Sequence, residues 1–190
     1  MEYFYKLKIP GMGHPPGFTL PEVRPFDGSQ ADTDSWILKV EDLMDKKTIA
    51  FFKKECHLIF DKCYIFFIRA GCSTNIHIDG TARDANVWAV NFIQNGIGSK
   101  INWYNKTKVH PGTSEPRCGG SLIDTWEEKD LTLARTLTVN HDKLLIRTDA
   151  PHKVINCSDN SRWCFSFRGN SRLHKIKSWD EIVKSFKKYI

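Results

Sequence analysis

Three residues of the 190-residue chain have the side chains and order needed to hold a divalent metal: His77, Asp79 and His152. In His77-Ile78-Asp79 an imidazole and a carboxylate stand at i and i+2. On a strand those positions project to one side of the pleat, so the two groups converge. Alone the pair is weak. With 7 histidines and 22 acidic residues in the chain such a pair is ordinary, and a turn at Asp79-Gly80 is the default reading. The context changes that. His152 follows 73 residues after Asp79, and Arg162 follows ten residues after His152. Two imidazoles and one carboxylate form the facial set that suits non-haem Fe(II) and leaves coordination positions open. Two of these can take a bidentate 2-oxo acid and one can take O2. Neutral imidazoles and one carboxylate leave a bound divalent ion at a net positive charge, which favours a further anionic ligand. A planar guanidinium at Arg162 can clamp the distal carboxylate of a dicarboxylic cosubstrate through paired hydrogen bonds.

The elements that must position these residues read mainly as strands. Residues 3–9 alternate enough for an edge strand, and 10–34 carry five prolines that deny a sheet its donors. Ser35 reads as the cap of a helix from Trp36 to about Asp45, with Trp36, Val40 and Leu43 on one face. A second helix is expected from Lys47 to about Glu55. From Cys63 the pattern changes, with strands expected at 63–70, 75–79, 87–94, 100–105, 132–138, 143–148, 151–156 and 161–168. In the last of these, Arg162, Cys164, Ser166 and Arg168 point one way and Trp163, Phe165 and Phe167 the other. The aromatic face suits a core and the opposite face solvent or a polar cavity. Residues 106–121 read as one long functional loop. Ser178-Trp179-Asp180-Glu181 is a capping-box pattern opening a helix with Trp179, Ile182, Val183 and Phe186 on its apolar face.

Composition narrows the class. The chain is 41% hydrophobic and 12% aromatic with a net charge of +6, which is globular and argues against disorder. It reads as one domain over residues 1–190, with a core at about 63–168 and a basic C-terminal helix within 169–190. No apolar run reaches the roughly 20 residues of a membrane helix, and no basic-then-apolar leader opens the chain. The expected location is therefore the cytoplasm. The six cysteines include no C-x-x-C pair and read as reduced, mostly buried thiols. The basic C-terminal stretch can track an anionic partner such as nucleic acid. A solvated helix face is the plainer reading.

The stretches Ile76-His77-Ile78-Asp79-Gly80, Trp88-Ala89-Val90-Asn91-Phe92-Ile93, Asn102-Trp103-Tyr104, Ala150-Pro151-His152-Lys153-Val154-Ile155-Asn156 and Arg162-Trp163-Cys164-Phe165-Ser166-Phe167-Arg168 together resemble the 2-oxoglutarate/Fe(II)-dependent oxygenases. More narrowly, they resemble the small stand-alone aspartyl/asparaginyl or prolyl hydroxylase-like group common in bacteria and phages. They cover about half of the chain. The resemblance implies a double-stranded β-helix, jelly-roll or cupin-like, with supporting helices. It implies iron on His77, Asp79 and His152, and Arg162 on the C5 carboxylate of 2-oxoglutarate. Asn91 matches a polar position that helps hold the cosubstrate. Many relatives carry serine two residues after the arginine. Here that place is Cys164, and Ser166 on the same face is the expected substitute. Arg83 is a candidate for steering substrate, and residues 106–124 for a lid. The implied activity is hydroxylation of a C–H bond with O2, releasing succinate and CO2. The implied substrate is a residue of a peptide or protein, or a small molecule, with nucleic acid as the alternative. The location would be the host cytoplasm for a phage-encoded chain. The rival from another class is a non-catalytic cupin-like module, which would need no clamp at Arg162.

Overall fold

β-Branched and aromatic residues dominate from Phe60 onward, and they fold there as strands that pair antiparallel throughout. The computed structural model describes residues 2–9, 20–25, 28, 33–80, 87–107, 112–116, 122–169 and 178–190. One sheet holds six strands: β1 (Phe4–Lys6), β2 (Thr33–Leu38), β3 (Phe60–Ile68), β5 (Trp88–Gln94), β10 (Lys143–Arg147) and β12 (Arg162–Gly169). Their order is β1-β10-β5-β12-β3-β2. The other sheet is built from β4 (Ile76–His77), β6 (Lys100–Lys106), β7 (Thr113–Pro116), β8 (Leu122–Trp126), β9 (Leu131–Thr138) and β11 (His152–Ile155). Its order is β7-β8-β4-β11-β6-β9. The pairing is nested. β3 pairs with β12, β4 with β11, β5 with β10 and β6 with β9. From β3 to β6, and again from β9 to β12, the chain steps from one sheet to the other at every strand.

The two faces of the first sheet bury different things. Ala89, Ile93, Leu144, Ile146 and Cys164 meet Ile101, Trp103 and Leu137 of the second sheet in the core between the two. The opposite face presents Ile65, Phe67, Val90, Leu145, Phe165 and Phe167 to a helical layer. That layer is α1 (Lys46–Glu55), α2 (Trp179–Ser185) and the 3-10 turn Val40–Asp42. Phe52 and Phe186 are fully buried there and touch edge to face. A side chain of that size contributes about 1.5–3 kcal/mol on burial.

Asp45 starts α1, its carboxylate accepting the backbone N–H of Thr48 at 2.7 Å. The helix expected from Trp36 does not form. Thr33–Leu38 is a strand on the free edge of β3, with Ser35 opposite Phe66 and Trp36 opposite Ile65. Thr, Asp, Ser, Trp and Ile are all middling or poor helix formers. An open sheet edge satisfies their backbone while Trp36 still buries its ring against Trp163, at 5.8 Å between centroids. Val40 and Leu43 reach the core from a single 3-10 turn and its end.

Residues 106–121 also differ from expectation. Thr113–Pro116 is β7, paired with β8, so this part of the loop is an ordered hairpin extending the second sheet. The rest of the loop, 108–111 and 117–121, lies outside the described residues.

At the C-terminus the helix covers only seven residues, Trp179–Ser185, followed by a 3-10 turn at Lys187–Tyr189. Its capping box is formed. Glu181 N–H donates to Ser178 Oγ at 3.4 Å and Ser178 N–H to Glu181 Oε2 at 2.8 Å. Ser178→Ala should lower stability by about 1 kcal/mol. Scanning calorimetry should then read a fall of roughly 2–4 °C in Tm, as fits a chain of this length. An unchanged Tm would mean the cap adds nothing.

Among the described cysteines, Cys56, Cys63, Cys72 and Cys164 are buried, Cys157 is exposed, and all five are free. No helix among the described residues is long and apolar enough to cross a membrane.

Candidate metal centre

β4 and β11 lie side by side in the second sheet with His77 and His152 as direct Cα partners. Directly opposed residues of an antiparallel pair point to the same face, so both rings enter the space between the sheets. Their centroids are 4.6 Å apart. Asp79 follows two residues after His77, and its Oδ1 lies 3.7 Å from His77 Nε2. One ligand atom from each of His77, Asp79 and His152 fits within 4.8 Å of the others, and all three residues are buried. Two ligands of an ion with bonds of about 2.1 Å stand roughly 3–4 Å apart, so a small closure would bring the cluster to the spacing an ion needs.

The backbone fixes the ring orientations. His77 Nδ1 is 2.8 Å from the carbonyl of Asn75, and His152 Nδ1 is 3.0 Å from the carbonyl of Ala150. A carbonyl only accepts, so both Nδ1 atoms carry the proton and donate. A ring held this way, when neutral, keeps its Nε2 lone pair for a metal, the outer-shell arrangement usual for ligating histidines. Asp79 is held on both sides. Its N–H donates to Thr148 O at 3.0 Å, while Ile78 N–H donates to Asp124 O at 3.1 Å. Gly80 turns the chain away at φ 118°, a backbone conformation that suits glycine.

The two oxygens of Asp79 have different partners. Oδ1 faces His77, and Oδ2 is 2.7 Å from Arg168 Nη2, with both side chains buried. Arg168 lies over the Tyr64 ring at 4.4 Å and donates from Nε to Ser166 Oγ at 3.4 Å. Its guanidinium therefore neutralises the outer carboxylate oxygen and leaves the inner one to a metal. The strand alternation places Arg168 on the polar face without indicating what it pairs with. The signal was there in Arg162, Ser166 and Arg168 at even spacing on a strand with a fully aromatic back. Two arginines turned inward need two anions.

Arg162 begins β12, six residues before Arg168 on the same face. At strand rise that is about 20 Å along the sheet. Only 1% of its surface is exposed. Among the described residues no carboxylate stands within ion-pair distance of it, and its Nε lacks a hydrogen-bond partner. Burial raises the pKa of the Cys164 thiol, against the opposing pull of the Arg162 charge. Gly96 packs beside it, where an added Cβ would stand 3.1 Å from Nε.

Asn91 and Ser166 are cross-strand partners between β5 and β12. Both are buried, and Asn91 Oδ1 has no partner. The structure thus brings His77, Asp79 and His152 together. It sets Asn91 and Ser166 on the inner face between that cluster and Arg162. Arg83 lies outside the described residues.

No protein-family model matches the chain. A search of curated proteins gives no match. Among solved structures it is similar to "X-Ray structure of E. coli ycfD", at 12% identity and a TM-score of 0.38, over 73% of this chain and 41% of that one. The chain therefore spans about two fifths of that protein's length.

Proposed function

We propose that this chain is a non-haem Fe(II)- and 2-oxoglutarate-dependent dioxygenase built on a double-stranded β-helix. The observation that carries the reading is the convergence of His77, Asp79 and His152, with both imidazole Nδ1 atoms already committed to carbonyls. The alternation between sheets and the nested pairing of β3 to β6 with β9 to β12 support the β-helix. When bound, the iron would supply O2 activation coupled to decarboxylation of 2-oxoglutarate to succinate and CO2. His77, Asp79 and His152 would hold it. Arg162 gives the far end of a dianionic cosubstrate its counter-charge, and Asn91 and Ser166 line the way between them. The core between the sheets excludes water from that path. The substrate favoured by the resemblance is a residue of a peptide or protein.

Anaerobic titration with Fe(II) and then 2-oxoglutarate tests the reading. One equivalent of iron should bind, and 2-oxoglutarate should raise a weak visible charge-transfer band. Admitting O2 should then release succinate even without a primary substrate. Iron binding with no spectral or affinity response to 2-oxoglutarate would favour a non-catalytic cupin-like module instead.

A further inference from the structure

Four backbone carbonyls between the end of β10 and the start of β11 hold the centre in place. Arg147 O accepts from Trp103 Nε1 at 3.0 Å, and Thr148 O accepts from the Asp79 N–H at 3.0 Å. Ala150 O accepts from His152 Nδ1 at 3.0 Å, and Pro151 O accepts from the Tyr104 N–H at 2.9 Å. The same short crossing therefore orients two of the three ligands, one through its backbone and one through its ring. What keeps the crossing itself in shape is a side-chain pair that spans it. Arg147 Nε is 2.6 Å and Nη2 3.1 Å from the two carboxylate oxygens of Asp149, a two-point fork across one intervening residue. At the start of α2, Asp180 adds attraction on the Arg147 side. Both members of the fork are about a fifth to a quarter exposed, so ion-pair strength alone gives little reason for so exact a fit. A bidentate guanidinium–carboxylate contact does fix geometry.

We propose that the Arg147–Asp149 fork is a positioning device for the metal centre. By clamping the β10–β11 crossing, it sets where Thr148 O and Ala150 O hold Asp79 and His152. Neither residue belongs to the candidate ligand cluster of His77, Asp79 and His152. This inference rests on the metal-binding reading above and goes beyond it.

The test is a double-mutant cycle on Arg147→Met, Asp149→Leu and the double variant, with Co(II) as the probe. Co(II) affinity and visible spectrum are read for each protein, and the Tm of the metal-free protein is read alongside. Each single variant should weaken Co(II) binding by about 10–100-fold, the range for outer-shell partners. The double variant should be no worse than either single one. The Co(II) bands should shift, and the metal-free Tm should move by no more than a few degrees. Arg147→Lys, which keeps the charge but loses the fork, should recover only part of the affinity. Wild-type Co(II) binding with unchanged affinity and spectrum in the single variants would overturn the inference and leave the metal reading standing. So would strictly additive effects. Absence of Co(II) and Fe(II) binding in the wild type would overturn the metal reading and this inference together.

Discussion

Asp79→Ala should abolish metal binding and destabilise the metal-free protein by about 3–5 kcal/mol, the usual loss when one partner of a buried ion pair is removed. The first effect follows because Asp79 is the sole anionic member of the cluster. The second follows because Arg168, 2.7 Å away and equally buried, would keep its charge with no carboxylate beside it. Asp79→Ala/Arg168→Met separates the two. It should regain most of the stability, because the stranded charge is gone, yet bind no metal. Chemical unfolding and metal stoichiometry on the three proteins make the check. Equal stability loss in the double variant would show that Asp79 supports the fold in some other way. Retained metal in Asp79→Ala would remove it from the ligand set.

Arg162→Met should stabilise the cosubstrate-free protein and nearly eliminate 2-oxoglutarate binding. A guanidinium that is 1% exposed without a carboxylate among the described residues is expensive to hold in a low-dielectric interior. An apolar chain of similar length removes that penalty, a gain on the order of 1–4 kcal/mol. Truncating one partner of a buried charged contact loses about 2–5 kcal/mol of binding, which is tens to thousands of fold in Kd. Wild-type protein should also prefer 2-oxoglutarate to pyruvate, which has no distal carboxylate, and Arg162→Met should lose that preference. Thermal unfolding and competition binding decide it. A variant that melts lower and still discriminates between the two acids would show that Arg162 is structural.

The His77–Asp79 half of the cluster was legible from the sequence because it obeys a short-range rule, and His152 was legible from its place ahead of Arg162. His77 and Asp79 share a face through the period of a strand, and β12 shows its two faces in an alternation of polar and aromatic residues. Most strand positions were legible for the same reason. Trp36–Asp45 misled because Trp36, Val40 and Leu43 have helical spacing yet reach the core from a strand and a turn. An edge of β3 was open to them, and that is a fact of tertiary structure. β7 (Thr-Ser-Glu-Pro) carries no apolar residue and β8 is only five residues long, and they are specified by β8 pairing with both β7 and β4. Arg168 was visible, but its partner was not. Asp79 lies 89 residues away, and no local pattern links a salt bridge of that span. The carbonyls of Thr148 and Ala150 were beyond reach for a simpler reason: a backbone acceptor has no letter in the sequence.

The nested pairing of strands also governs how such a chain comes together. Ile65 pairs with Phe165, and His77 with His152, so both contacts wait on segments far apart along the polypeptide. Closing loops of that length costs entropy before any contact repays it, and topologies dominated by distant pairings fold slowly. His77 and His152 sit on the two sides of one such closure. An ion that binds only after β4 and β11 have met adds its binding free energy to the finished fold, and by stabilising a contact formed late it acts chiefly on the rate of unfolding. The centre would thus lock the chain kinetically as well as equip it chemically.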